Sequence, residues 1–179
     1  MDVLNRDSVS LATLQLREIR HADDAKIAEV IRSVLIEMDA PRVGSAYADP
    51  SLDTMTEHYA QQARACYFVA ELDGEVIAGC GFGPLPGEGD HLCELQKMYL
   101  LPACRGLGIG QQLVRLCIEK ARSYGYTQCY LETLPNMLAA QALYQKMGFR
   151  YIDHALGNTG HNACPVWMLL DFDALAQSK

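Results

Sequence analysis

No apolar run in the 179 residues reaches the roughly 18 that a membrane-spanning helix needs. No two cysteines are spaced C-x-x-C, and no two histidines stand at H-x-x-H or H-x-x-x-H, so the common zinc-binding spacings are missing. Positive charge is short: 15 Lys and Arg stand against 22 Asp and Glu, a formal net charge of −7. A nucleic-acid partner must be met with a basic surface that neutralises phosphate, and this chain does not supply one. The opening MDVLNRDSVS has neither the basic nor the apolar region of a secretory signal. The seven cysteines (Cys66, Cys80, Cys93, Cys104, Cys117, Cys129 and Cys164) are odd in number and mostly lie beside apolar residues, which fits a reducing compartment. A cytoplasmic protein with no membrane, nucleic-acid or metal partner is expected.

What is present is a globular balance. Half of the residues are apolar and 21% are charged, and a single domain of this length can bury a full core. Residues 1–13 read as a tail, 14–172 as one domain and 173–179 as a second tail. Leu14 to Arg20 alternates like a strand. A helix follows with Ile27, Val30, Ile31, Val34, Leu35 and Met38 on one face and Asp23 as its N-cap. Residues 39–52 are loop, and a second helix is expected from Asp53 to Ala65. Cys66–Leu72 and Glu75–Phe82 form a hairpin about Asp73-Gly74, a pair suited to positive φ. After the loop 83–91 comes a strand, Leu92–Leu101, then a glycine turn and a helix to Tyr124 with Ile109, Leu113, Leu116, Cys117 and Ala121 buried. Thr127–Leu134 is a strand, and Pro135-Asn136 opens a helix with Asn136 as N-cap and Ala139, Ala140, Leu143 and Met147 inward. Gly148 ends that helix. Phe149–Ala155 and Pro165–Phe172 are the last strands, joined by the loop 156–164.

The order β-α-α-β-β-β-α-β-α-β-β specifies an α/β (α+β) domain. Its mixed, mostly antiparallel sheet has about seven strands and is flanked by about four helices. The strands on either side of the glycine turn and its helix are expected to be parallel.

The chemistry is carried by LQKMYLLPACRGLGIGQQLV. A strand, a proline and the turn R-G-L-G-I-G lead into a helix whose first N–H groups and positive dipole end would face an anion. A P-loop would need Lys after its last glycine, where Gln111 and Gln112 stand. A dinucleotide fingerprint would need a third glycine where Gln111 or Leu113 stands. Arg105, Gly108 and Gly110 instead match [RQ]-x-x-G-x-[GA]. Ala140, Leu143, Tyr144, Gly148 and Phe149 match A-x-x-L-Y-x-x-x-G-F downstream. With both pieces on the right elements, the chain over residues 14–172 resembles the GNAT superfamily of acyl-CoA-dependent N-acetyltransferases.

That resemblance implies roles. The backbone N–H groups of Arg105, Gly106, Leu107, Gly108, Ile109, Gly110 and Gln111 would bind the pyrophosphate of coenzyme A. The strand of Met98, Tyr99 and Leu100 would pair with its pantetheine arm through the Met98 and Leu100 main chain. The Met98 amide would face the thioester oxygen. Tyr144 would be the general acid that protonates the leaving thiolate, and would touch the cofactor. Glu94, eleven residues before Arg105, matches the base position of the histone-acetylating branch. It has two readings: a base for the incoming ammonium, directly or through water, or a strand-end carboxylate that is solvated or paired with Lys97. Where many members carry Asn, seven residues before the Tyr, this chain has Met137.

Acetyl-CoA is thus the expected co-substrate, with transfer to a primary amine by direct attack in a ternary complex. The acceptor would be chosen by residues 39–65, 83–91 and 156–164, where Asp39, Asp49, Asp53, Glu57, Glu88 and Asp90 outnumber Arg42 and Arg64. A polyamine, an aminoglycoside or a lysine side chain suits such a mouth, and a small-molecule amine is preferred. The alternatives are a silent acyl-CoA sensor or scaffold, a protein lysine or N-terminal acetyltransferase, and transfer of a longer acyl chain. Cys104 reads as a small buried residue rather than an acyl carrier. His91 and His161 read as loop histidines at the border of an acceptor pocket. A homodimer would place Val166, Trp167 and Met168 at an interface; otherwise they are core.

Overall fold

The computed structural model describes residues 13–40 and 43–176, so the expected N-terminal tail (Thr13 excepted) and Arg42 lie outside it. Seven strands, β1 (Leu14–Glu18), β2 (Cys66–Leu72), β3 (Glu75–Pro84), β4 (Leu92–Leu100), β5 (Gln128–Thr133), β6 (Arg150–Ile152) and β7 (Val166–Asp171), form one sheet in the order β1-β2-β3-β4-β5-β7-β6. The helices are α1 (Asp24–Glu37), α2 (Met55–Ala60), α3 (Ile109–Ser123), α4 (Leu138–Lys146) and α5 (Phe172–Ala176). The expected order is found, with α5 added where a tail was read. Helices α1 and α2 pack on one face of β2–β4, and α3 packs on the other. Asp73 and Gly74 turn the β2–β3 hairpin at φ of 51° and 85°.

Every pairing but one is antiparallel. Strands β4 and β5 run parallel, and they pair only at Leu92, Cys93 and Glu94 with Gln128, Cys129 and Tyr130. Beyond Glu94 they part, which opens the sheet at its centre. Strand β4 is also bulged. Gly81 pairs with Gln96 and Gly79 with Tyr99, so Lys97 and Met98 together oppose Cys80. Lys97 sits in the left-handed region at φ 49°.

Several local readings are corrected. Asp23 stands at the start of α1 but caps nothing there. Its carboxylate accepts from Arg17 Nη1 and Nη2 at 2.7 and 3.0 Å and from the Arg20 N–H at 2.7 Å. The second helix is shorter than Asp53–Ala65: a 3₁₀ turn, Pro50–Thr54, precedes it, and the Asp24 carboxylate accepts from Thr56 N–H and Oγ1. Asn136 is not a cap either; its amide donates to the Met38 carbonyl at 2.7 Å. On α4, Gln141 and Tyr144 are the buried residues and Ala139 is exposed, because that helix turns its small residues to the opening beside β4. Strand β6 is cut to Arg150–Ile152, the length over which β7 pairs with it. Met168 is fully buried, while Trp167 packs with Leu85, Leu92 and Tyr130.

Candidate active site

The opening between β4 and β5 continues outward as a cleft of about 640 Å³. One wall is Met98, Tyr99 and Leu100. The floor is the turn with Arg105, Gly106, Gly108, Ile109, Gly110 and Gln111. The other wall is α4, and Val34 of α1 and Met38 just past its end close the side. Gly106 and Gly108 adopt φ of 77° and 76°, and a Cβ built on either would meet nothing within 4 Å. The turn therefore shows bare backbone to the cleft. An α-helix leaves its first N–H groups without internal partners, and the first turn of α3 carries no acidic side chain. Of the residues expected to hold the cofactor, Leu107 does not line the cleft, and Tyr144 lies deeper. The Arg105 guanidinium is engaged elsewhere: it donates twice to Glu37 at 2.8 Å each, and twice to the Leu100 carbonyl.

At its inner end the cleft meets a small chamber of about 50 Å³. Both are lined by Met98, Tyr99, Met137 and Ala140. Tyr144 lines the chamber, together with Leu131, Glu132 and Thr133 of β5 and with Cys164. Burial drives the Tyr144 phenol well above its ordinary value, so it is neutral and able to donate. Burial also pushes the Cys164 thiol up to about 11, and raises Cys104, so neither offers a thiolate.

Glu94 is 5% exposed and sits where β4 and β5 separate. It is neither solvated nor paired with Lys97. Its Oε2 accepts from the Gln96 amide at 2.8 Å, and the Gln96 oxygen accepts from Tyr59 O–H at 2.8 Å. Burial pushes the Glu94 carboxyl up to about 7, against the pull of the Gln96 bond and of His161. A carboxylate poised there suits proton transfer near neutrality.

Around the chamber lies a charged cluster from four distant segments. Lys97 Nζ is 3.0 Å from Asp49, and His161 Nε2 is 3.2 Å from both Asp49 oxygens. Burial opposes the Asp49 charge, but His161 and Lys97 together hold the carboxyl below its usual range. The Asp49 bond raises His161 against the effect of burial. Thr159 and Tyr130 both donate to Glu132 at 2.7 Å. The loop 156–164 is pinned as a roof by these bonds and by Asn158 N–H to Pro86, Gly157 N–H to Glu88 and Ala163 N–H to Gly44. His91 is exposed and outside this group. Of the other expected acceptor charges, Asp53 pairs with Arg32, Glu57 accepts from Gln61, and Arg64 donates to the Tyr124 and Asp90 carbonyls.

Sequence reasoning missed the α4 wall and the Asp49–His161 pair. The first had a signal: Ala142 and Lys146 extend Ala139 and Leu143, already read as inward, into a stripe at helical spacing. The second had none, since its partners are 112 residues apart.

A split sheet whose parting strand leads to a bare-backbone helix N-terminus defines a coenzyme-A-dependent acyltransferase architecture. Residues 33–149 match the model of the acetyltransferase (GNAT) family. The chain is 46% identical over 156 residues to the uncharacterized N-acetyltransferase YjgM of Escherichia coli, covering 86% of this chain and 92% of that one. An acetyltransferase of the GNAT family from Staphylococcus aureus superposes with a TM-score of 0.79 at 19% identity, covering 89% of this chain and 99% of that one. The Salmonella typhimurium putative acetyltransferase yncA, solved with acetyl-CoA, gives 0.72 at 20% identity, over 89% and 94%. The chain belongs to the GNAT family and is an acetyl-CoA-dependent acyltransferase. The cleft suits that cofactor: bare amides would face a pyrophosphate, and a Cβ on Gly110 would press on the side-chain ends of Met98 and Leu143, at 2.8 and 3.1 Å, so the small residue here keeps the floor low. No helix among the described residues is long and apolar enough to cross a membrane.

Proposed function

We propose that this enzyme acetylates the primary amine of a small molecule by direct attack in a ternary complex. The reading rests on one observation: cleft and chamber share Met98, with Tyr144 lining the chamber. Acetyl-CoA supplies the activated acyl group as a thioester. The Met98 N–H receives the charge that grows on the thioester oxygen. Glu94, or a water that it holds, takes a proton from the ammonium. The amine nitrogen then bonds to the acyl carbon as the carbon–sulfur bond breaks, and Tyr144 supplies the proton that leaves coenzyme A as a thiol. A second proton from nitrogen restores the Tyr144 phenol through solvent, and Glu94 gives its proton to solvent, so that ammonium and thioester become amide, thiol and one released proton.

The small chamber and its pinned roof favour a small acceptor over a protein side chain, and a two-carbon acyl group over a longer one. The purified enzyme would be incubated with acetyl-CoA and an amine panel, following free coenzyme A by chromatography because protein thiols react with thiol dyes. Release that depends on a small amine is the expected result. Bound acetyl-CoA with release only on peptides would overturn the small-molecule reading.

A further inference from the structure

The bulge of β4 places Lys97 at φ 49° directly before the residue whose amide faces the thioester in the reading above, on which the present inference rests. A non-glycine residue holds such a backbone only where its surroundings impose it. Here both ends of Lys97 are gripped. Tyr67 O–H donates to the Lys97 carbonyl at 2.8 Å, and the Lys97 ammonium, on a side chain 6% exposed, reaches Asp49 at 3.0 Å. Tyr67 itself has no freedom. It is 1% exposed, and its ring lies so flat on β3 that a Cβ at Gly79 or Gly81 would sit 2.5 or 2.4 Å from it. Those two glycines flank Cys80, the residue opposite the bulge. The slot, the phenol and the bulge are thus one construction.

We infer that Tyr67, seated in the Gly79–Gly81 slot, is a positioning residue that holds the β4 bulge and thereby aims the Met98 amide at the reacting carbonyl. The Lys97–Asp49 ion pair is the second grip on the same bulge. A small misdirection of a fixed donor costs rate without costing affinity, because the donor bonds best to charge that develops during reaction.

The test uses acetyl-CoA carrying ¹³C at the carbonyl, bound to wild type, Tyr67→Phe and Tyr126→Phe, with the carbonyl stretch read by isotope-edited infrared spectroscopy. Tyr126 also donates a buried phenol to a backbone carbonyl, that of Arg64, away from the cleft, and controls for a merely structural loss. Wild type should lower the stretch relative to free acetyl-CoA, Tyr126→Phe should match wild type, and Tyr67→Phe should move back toward the free value. In Tyr67→Phe kcat should fall about ten-fold while KM for acetyl-CoA stays within about two-fold. A wild-type frequency and kcat in Tyr67→Phe would overturn the inference. A wild-type stretch equal to that of free acetyl-CoA would instead remove the Met98 reading, and this inference with it. If Tyr67→Phe does not fold, Asp49→Ala decides, since it releases the other grip: a partial return of the stretch supports the construction, and none refutes it.

Discussion

The cofactor cleft and the reaction chamber meet at Met98 but are made of different materials. The cleft is backbone and small apolar side chains: a glycine turn, the first turn of α3, and Ala139, Ala140 and Ala142 of α4. The chamber has Lys97 and Glu132 among its mostly apolar lining, and around it stand the hydrogen-bonded Glu94, Asp49 and His161, drawn from β4 and two loops. A pyrophosphate and a pantetheine arm are the same in every turnover, so backbone N–H groups that depend little on side-chain identity can hold them. An amine must be deprotonated and selected, which needs titratable groups in a dry place. Substitution should therefore act on affinity in the first region and on rate and pH dependence in the second.

The largest effect is expected at Glu94. Glu94→Gln should lower kcat by about 10²-fold or more and abolish the rise of kcat/KM through the Glu94 pKa of about 7, read from a pH–rate profile. The same change should alter stability. The folded Glu94 keeps its proton to about 7, whereas an unfolded one releases it near the ordinary value of 4.5, so the folded state binds more protons between these values. Glu94 should thus make wild-type stability fall across that window, by on the order of 3 kcal/mol, and add no further fall above it. His161, raised by Asp49, adds the same sign at higher pH. Glu94→Gln should show a much flatter urea-unfolding midpoint over the Glu94 window.

Next comes Tyr144→Phe, which should lower kcat by about 10- to 100-fold with coenzyme A affinity retained in calorimetry. Unchanged turnover would remove Tyr144 as the acid. Across the boundary the pattern should invert: Gly110→Val crowds Met98 Cε and Leu143 Cδ2, at 2.8 and 3.1 Å from a Cβ. It should weaken acetyl-CoA binding about ten-fold, the scale of a modest overpacking strain, while kcat at saturation changes less. The smallest effect belongs to Glu37→Gln. Its pair with Arg105 is part-exposed, at 32% and 39%, and its loss should cost less than about 1 kcal/mol in thermal unfolding. A large loss of affinity there would make the Arg105 side chain, and not only the backbone, part of the cleft.

The amino-acid sequence by itself determined the element order, the hairpin at Asp73-Gly74, the glycine turn with its helix, and the spacing that carries Tyr144. These are local properties, set by φ/ψ preference, by strand and helix periodicity, and by residues a few positions apart. Only the tertiary structure decided where β4 and β5 part, that Lys97 adopts a left-handed backbone, that Asn136 bonds Met38 instead of capping α4, and that His161 meets Asp49. Glu94 shows the division within one residue. Its position was legible from its spacing to Arg105, but its proton affinity follows from burial between strands and from the Tyr59–Gln96 chain. A charge is tuned by the groups that surround it in space, and those come from segments that no local pattern joins.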